Sequence, residues 1–256
     1  MEHQDRVAVV TGGGKGIGRG TVEVLVRAGA RVIILDTDAE SGQQTADALG
    51  NNVYFVACDV AEEQSVIDAL KRGRDHFGRI DYLVNNAGVQ RYAPVTETTE
   101  EVWDLIMNVN VKGAFLCAKH AIPYLQQAGR GVIVNVSSVQ AMLTQGNVAA
   151  YATSKTALLG LTRSIAVDYA PRIRCVAVCP GSVDTPLLRW AVNQSPDPEA
   201  VMQECIDMHL TDRIAQPTEI GEFIAYLCSD KAGFMTGQAY RIDGGLGVMI
   251  PGSQRD

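Results

Sequence analysis

The 256-residue chain has no surplus of positive charge: 22 Lys and Arg stand against 29 Asp and Glu, a formal net charge of −7. Such a surface offers no broad positive field to a polyanion, so nucleic acid is not expected as a partner. Cysteine is sparse. The six residues Cys58, Cys117, Cys175, Cys179, Cys205 and Cys228 include no C-x-x-C pair, and their density is far below that of a disulfide scaffold. Cys175 and Cys179 could share a strand face, but four strand residues rise ~13 Å, too far for a disulfide. Four scattered histidines with no H-x-x-x-H spacing give zinc no support, and no metal is expected. The opening Met1-Glu2-His3-Gln4-Asp5-Arg6 lacks the cationic and apolar regions of a secretory signal, so reduced thiols in a cytoplasmic protein are expected. Residues 131–154 run 24 positions without a charge. They also hold Asn135, Ser137, Ser138, Gln140, Thr144, Gln145 and Asn147, which hydrocarbon would not tolerate. That stretch reads as a buried strand followed by a polar loop, and no membrane partner is expected.

What is present is a globular composition, 46% hydrophobic and 20% charged. Short apolar runs at 6–10, 31–35, 53–57, 80–84, 131–136, 173–178 and 239–242 read as strands. Many are continuous rather than alternating, as when both sheet faces are covered. Helical periods fill 17–27, 39–48, 62–77, 100–127, 149–169 and 218–229. This alternation predicts right-handed βαβ crossovers and an α/β fold with a parallel sheet. No linker, repeat or low-complexity tract divides the chain, so one domain over 1–256 is expected. Residues 182–216 depart from the rhythm, with Pro186, Pro196 and Pro198 and an amphipathic stretch through Met208. An insertion at a strand's carboxyl end borders the ligand crevice of such sheets. It is a candidate lid; a packed surface excursion or a subunit contact would read the same way.

Glycine is the residue in excess, and six of its 25 copies fall between positions 12 and 20. Val7-Ala8-Val9-Val10-Thr11 leads into Gly12-Gly13-Gly14-Lys15-Gly16-Ile17-Gly18-Arg19-Gly20. No register matches G-x-G-x-x-G, and a P-loop is excluded because Lys15 precedes glycine rather than Ser or Thr. The pattern that fits is T-G-x-x-x-G-x-G through Thr11, Gly12, Gly16 and Gly18. Missing Cβ atoms let backbone approach a pyrophosphate, and the next helix offers free N–H groups and its positive dipole end. Eighteen residues beyond Gly18, the second strand ends at Asp36. A carboxylate there accepts from ribose hydroxyls and repels a 2′-phosphate, so NAD is expected over NADP. Lys15 is the competing signal, since it could pair with that phosphate.

A second signal lies downstream. Tyr151 and Lys155 are four apart on an expected helix and so share a face, and Ser138 stands thirteen residues before Tyr151. Tyrosine ionises near pH 10, and a neighbouring ammonium brings it closer to working pH.

With the glycine turn, Asp36 and this trio together, the sequence resembles the short-chain dehydrogenase/reductase family over nearly its whole length. The matching pieces are residues 11–18, Asp59-Val60, Asn85-Asn86-Ala87-Gly88, Asn110, Ser138, Tyr151-Ala152-Thr153-Ser154-Lys155 and Pro180-Gly181. The resemblance implies a Rossmann-type doubly wound parallel sheet with helices on both faces, a nicotinamide cofactor and a homotetramer. It also implies roles. Tyr151 exchanges the hydroxyl proton, Lys155 depresses the Tyr151 pKa and holds the nicotinamide ribose, and Ser138 polarises the substrate oxygen. Asn110 binds, through backbone and side chain, a water that relays protons from Lys155. Gly12, Lys15, Gly16, Ile17, Gly18 and Asp36 form the cofactor turn, and Asp59 and Val60 contact adenine. Asn86, Ala87 and Gly88 line the cofactor, while Pro180, Gly181, Val183 and Thr185 grip its nicotinamide side.

Substrate residues are expected around the same crevice: Arg91, Ser138, Gln140, Asn147, Tyr151 and Arg189. A site rich in amide and guanidinium donors suits a polyhydroxylated substrate. Residues 180–187 and 208–214 resemble family members that oxidise aldoses, so the expected reaction is oxidation of a sugar's anomeric hydroxyl to a lactone. An inward Arg91 or Arg189 would point to an anionic sugar. A secondary-alcohol, polyol or hydroxysteroid dehydrogenase is the alternative enzyme. An NAD-sensing binding or scaffold protein is the alternative from another class, against which the intact Ser138, Tyr151 and Lys155 set argues.

Overall fold

The computed structural model describes residues 2–248. In chain order its strands and helices are β1 (Val7–Thr11), α1 (Gly16–Arg27), β2 (Arg31–Asp36), α2 (Ala39–Leu49), β3 (Val53–Ala57), α3 (Glu63–Phe77), β4 (Tyr82–Asn85), α4 (Glu100–Met107) and α5 (Gly113–Gln127). There follow β5 (Gly131–Val136), α6 (Ala149–Tyr169), β6 (Ile173–Pro180), α7 (Pro186–Val192), α8 (Pro198–Asp207), α9 (Pro217–Cys228) and β7 (Ala239–Ile242). The strands form one parallel sheet in the order β3-β2-β1-β4-β5-β6-β7.

The two-residue period of a strand explains both layers. Ala8, Val10, Val32, Ile34 and Val134 face α1, α2 and α9. Val7, Val9, Ile33, Leu35 and Ile133 face α3, α5 and α6. With both faces covered, every position of β1 and β5 is buried, and most are apolar. Strand order reverses between β1 and β4, so their connections leave in opposite directions and open a crevice beyond their carboxyl ends.

The strands run further than their apolar segments. Pairings of Thr11 with Leu35, Asp36 with Ala57, Asn85 with Asn135 and Pro180 with Ile242 extend four of them. Backbone pairing is indifferent to side-chain polarity, so the sheet itself delivers Thr11, Asp36 and Asn85 to the crevice. The starts of the first and fourth strands move inward, to Val7 and Tyr82. The long helix expected over 100–127 is interrupted. At residues Asn108–Lys112 the chain makes a π turn, in which the Gly113 N–H reaches back five residues to the Asn108 carbonyl. In the inserted segment 182–216, the prolines open two short helices rather than excluding them. Thr185 and Asp197 accept from the Leu188 and Ala200 N–H groups, and a proline follows each cap.

All six cysteines are unpaired thiols. Among the described residues no helix is long and apolar enough to cross a membrane. None of those residues form a cluster of three or more His, Cys, Asp or Glu able to hold a metal.

The crossing of α1 and α9 is backbone against backbone. A Cβ on Gly20 would lie 2.6 Å from the Pro217 carbonyl carbon, and one on Gly221 would lie 2.7 Å from the Gly20 carbonyl oxygen. Backbone atoms cannot swing aside, so the helices would have to separate. Gly221→Ala is therefore expected to destabilise the fold by about 1–3 kcal/mol. The measurement is urea unfolding, where the midpoint should fall with the slope unchanged.

Candidate active site

The glycine turn between β1 and α1 is clamped to the turn after β4. The Thr11 hydroxyl accepts from the Asn86 and Ala87 N–H groups, each at 2.9 Å. The Asn86 amide donates to the carbonyls of Thr11 at 2.9 Å and Gly12 at 3.1 Å. Gly12 has φ +63°, and a Cβ there would touch the Asn86 amide at 3.0 Å. A Cβ on Gly18 would lie 2.6 Å from that amide nitrogen. Glycine is thus required by close approach as well as by conformation. Helix α1 begins without a side-chain cap and without acid in its first turn. Its first N–H groups and positive dipole end remain available to an anion.

Asp36 sits half-buried at the end of β2. Its carboxylate accepts from the Gly14 and Asp38 N–H groups, each at 3.0 Å, and retains lone pairs for ribose hydroxyls. Lys15 is ion-paired to Asp38 at 2.7 Å. That ammonium and the Ser41 groups hold the Asp38 carboxyl down at about 2. The bare turn, the uncapped helix start and the carboxylate at β2 fit a dinucleotide: α1 would face the pyrophosphate and Asp36 the ribose.

On the far side of the crevice, α6 carries Tyr151 and Lys155, and Ser138 follows β5. The Lys155 Nζ donates to the Val136 carbonyl at 2.9 Å and lies 5.6 Å from the centre of the Tyr151 ring. The Ser138 Oγ accepts from the Gln140 N–H at 3.1 Å, which fixes its direction. Asn110 lies in the π turn. Its Oδ1 accepts from the Val89 N–H at 2.8 Å, and its Nδ2 donates to the Val89 carbonyl and the Ser154 hydroxyl, both at 3.0 Å.

Residues 12–247 match the dehydrogenase family model described as enoyl-(acyl carrier protein) reductase. The chain belongs to the short-chain dehydrogenase/reductase family. It is 39% identical to the cis-4-hydroxycyclohexanecarboxylate dehydrogenase of Sinomonas cyclohexanicum over 94% of this chain and 96% of that one. It superposes on the ligand-free aldohexose dehydrogenase of Thermoplasma acidophilum with a TM-score of 0.91 and 38% identity, covering 99% of this chain and 98% of the other. A 3-ketoacyl-(acyl-carrier-protein) reductase from Brucella melitensis, complexed with NADH, superposes at 0.87 with 32% identity, covering 94% and 98%. Homologues in this family are oxidoreductases acting on alcohol-type groups, and a nicotinamide cofactor goes with the fold.

Asn110 spends both amide hydrogens and an oxygen lone pair on Val89 and Ser154. Its side chain braces the β4 turn against α6 and keeps one oxygen lone pair free. Burial pushes Tyr151 up to about 12, the Ser138 hydroxyl pulls the other way, and Tyr92 adds a smaller upward push. Burial pulls Lys155 down to about 8. Desolvation is the largest influence on both groups.

The remaining expected residues divide clearly. Val60 is buried against Gly113, and Asp59 is exposed, its carboxylate accepting from the Ala61 N–H. Ile17 opens α1, half-buried. The Thr185 methyl would meet a Cβ on Gly16 at 3.2 Å, and Val183 is tied to Ala215 by a β-bridge. Gly88 comes so near Lys155 that a Cβ would lie 3.3 Å from Nζ. Ser138 lies beside Tyr151 and accepts from the Gln140 N–H. Arg91 donates to the Gln90 carbonyl at 2.7 Å and lies over the Trp190 ring, 5.4 Å from its centre. Asn147 is exposed at φ +64°, and its carbonyl accepts from the Ala93 N–H. Arg189 grips the Asp184 carboxylate with two hydrogen bonds, 2.8 and 2.9 Å, from an exposed side chain.

Sequence reasoning did not single out His209, which is buried. Its Nδ1–H donates to the Cys205 carbonyl at 2.6 Å and its Nε2 accepts from the Ser182 N–H at 3.1 Å. A Cβ on Gly181 would lie 2.6 Å from that Nε2. The ring ties α8 to the end of β6. Its only sequence signal was a histidine within a stretch that resembles aldose-oxidising relatives.

Burial of Lys155 has a pH signature. Its proton leaves at about 8 in the folded protein and near 10.5 in the unfolded chain. The penalty for burying the ammonium is complete below pH 8 and is relieved as pH rises towards 10.5. In melting curves, the Tm of Lys155→Met minus that of the wild type should therefore fall between pH 7 and pH 9.5. A constant difference would show that burial leaves the ammonium unperturbed.

Proposed function

We propose that this chain is an NAD-dependent dehydrogenase that oxidises a CH–OH group, with C1 of an aldose as the foremost substrate position. The observation that carries the reading is the group of buried Ser138 and Lys155 with half-buried Tyr151, facing the glycine turn across one crevice. When bound, the nicotinamide supplies the hydride acceptor and positive charge beside the base. Ser138 donates a hydrogen bond to the substrate oxygen. Tyr151, as phenolate, accepts the hydroxyl proton while the carbinol carbon gives up hydride and becomes a carbonyl. Lys155 contributes the nearby positive charge that a phenolate needs in so dry a setting. Asn110 is a positioning residue, holding the β4 turn and α6 at their spacing.

Three observations support the finer points. Asp36 and Asp38 together outnumber Lys15, so the turn has no net cation for a 2′-phosphate, which favours NAD. The similarity to an aldohexose dehydrogenase favours a sugar. Residues 182–216, hinged on the His209 contacts, border the crevice as a substrate lid. Apolar side chains left exposed on α4 and α5, Trp103, Leu105 and Phe115, supply surface for the proposed homotetramer. The second reading, a cyclic secondary-alcohol dehydrogenase, has one specific support in the hydroxycyclohexanecarboxylate dehydrogenase relative.

A panel of aldoses, acidic sugars, polyols and cyclic alcohols, followed by NADH absorbance, separates these readings. Activity confined to cyclic alcohols removes the sugar, and tight NAD binding without turnover of any member favours a sensor. With the active substrate, Tyr151→Phe should bind NAD within a few-fold of wild type and lose turnover by roughly 10²–10⁴. NADP should support at most about a tenth of the kcat/KM seen with NAD. Equal efficiency would refute the role given to Asp36.

A further inference from the structure

The segment after β4 crosses the start of α6, tied down at both ends. At one end, Val89 is held by Asn110, which is bonded in turn to Ser154. At the other, Ala93 donates to the Asn147 carbonyl at 2.9 Å and pairs with Val148, the residue before α6. Gln90, Arg91 and Tyr92 are stretched between these ties, beside the helical turn that carries Tyr151. From the lid, Trp190 of α7 meets this segment. Its ring stacks on that of Tyr92 at 6.3 Å between centres and 23° between planes, while Arg91 covers it at 5.4 Å.

Polar groups converge around the Tyr92 hydroxyl. The side chains of Gln145 and Gln90 both bear on it, and it is near enough to Tyr151 to influence that group. Gln90 is buried at 6% exposure, yet its amide nitrogen finds no acceptor among the described residues. Gln140, two residues after Ser138, holds a buried amide oxygen without a donor among them. An orphaned amide donor beside the Tyr92 hydroxyl suits a ligand hydroxyl, whose oxygen accepts from the amide and whose hydrogen the Tyr92 oxygen can take. An apolar group would leave the amide unpaired.

We propose that Tyr92 is a specificity-determining residue whose hydroxyl, set in place by the stack on Trp190, hydrogen-bonds a hydroxyl on the carbon next to the one oxidised. The site is thereby selective for vicinal diols, cyclic aldoses among them. This rests on the dehydrogenase reading above but not on the substrate being a sugar. Tyr92 acts on substrate choice and leaves proton transfer to Tyr151.

Tyr92→Phe keeps the ring on Trp190 and removes only the hydroxyl. The experiment compares it with wild type on two substrate pairs, glucose against 2-deoxyglucose and cis-1,2-cyclohexanediol against cyclohexanol. Wild type should prefer the first member of any pair it oxidises. The variant should lose about tenfold or more in kcat/KM on that member, mainly through KM, and stay within about threefold on the second. The preference would then collapse. An equal loss on both members would assign Tyr92 a purely structural role and overturn the proposal. No loss on either, or no wild-type preference for the diol, would overturn it as well. Collapse on the cyclohexane pair with no oxidation of glucose would remove the sugar reading and uphold Tyr92. Absence of turnover on all four would defeat both.

Discussion

One hydroxyl and one amide hold the functional end of this molecule together. Thr11 closes β1 and Asn86 follows β4, and these strands are neighbours at the point where the sheet reverses its winding. Their side chains exchange four hydrogen bonds with the opposite turn's backbone, at 2.9–3.1 Å. The glycine turn can leave its side open to a ligand because its inner side is fastened by a neighbour rather than by its own side chains. The same fastening sets where the β4 turn begins, and with it Gly88 beside Lys155 and the segment that reaches Tyr92.

Beyond that clamp, the site is governed by dryness. Lys155 is buried and Tyr151 half-buried, and burial displaces each towards its uncharged form. In the proposed reaction such a base would need charge beside it, which would couple proton abstraction to occupancy of the cofactor turn. The polar groups that surround the pair are nearly all committed to backbone: Ser137 to the Lys155 carbonyl, Lys155 to the Val136 carbonyl, Ser154 to the Tyr151 carbonyl. These bonds fix geometry without adding charge.

The sheet and most of its crossovers were legible in the sequence because continuous apolar runs and helical periods report burial directly. The cofactor turn was legible for another reason: glycine spacing records close approach, and Asp36 lies at a strand end that the apolar run locates. What escaped was everything decided across the chain. The π turn at Asn108–Lys112 has no local signature, since residues 100–127 read as unbroken helix, and only contact with Val89 and Ser154 explains the extra residue. Arg189 was a free cation until its partner five residues away was known. Tyr92 and Gln90 carry no motif, and their placement depends on two ties to α6. The inner balance of Tyr151 and Lys155 was likewise hidden, because spacing reveals that two groups meet but not how little water surrounds them.

The contact of α1 with α9 through Gly20 and Gly221 leaves no compressible side chain between the two helices. The first helix presents its amino end to the cofactor turn, while the second leads into β7 at the far edge of the sheet. With backbone seated directly on backbone, neither helix can tilt at this crossing without moving the other. The Gly244-Gly245 turn beyond β7 packs in the same close manner on His209 and Leu210. Stiffness at one crossing thus gives the first and last thirds of the chain a common mechanical fate.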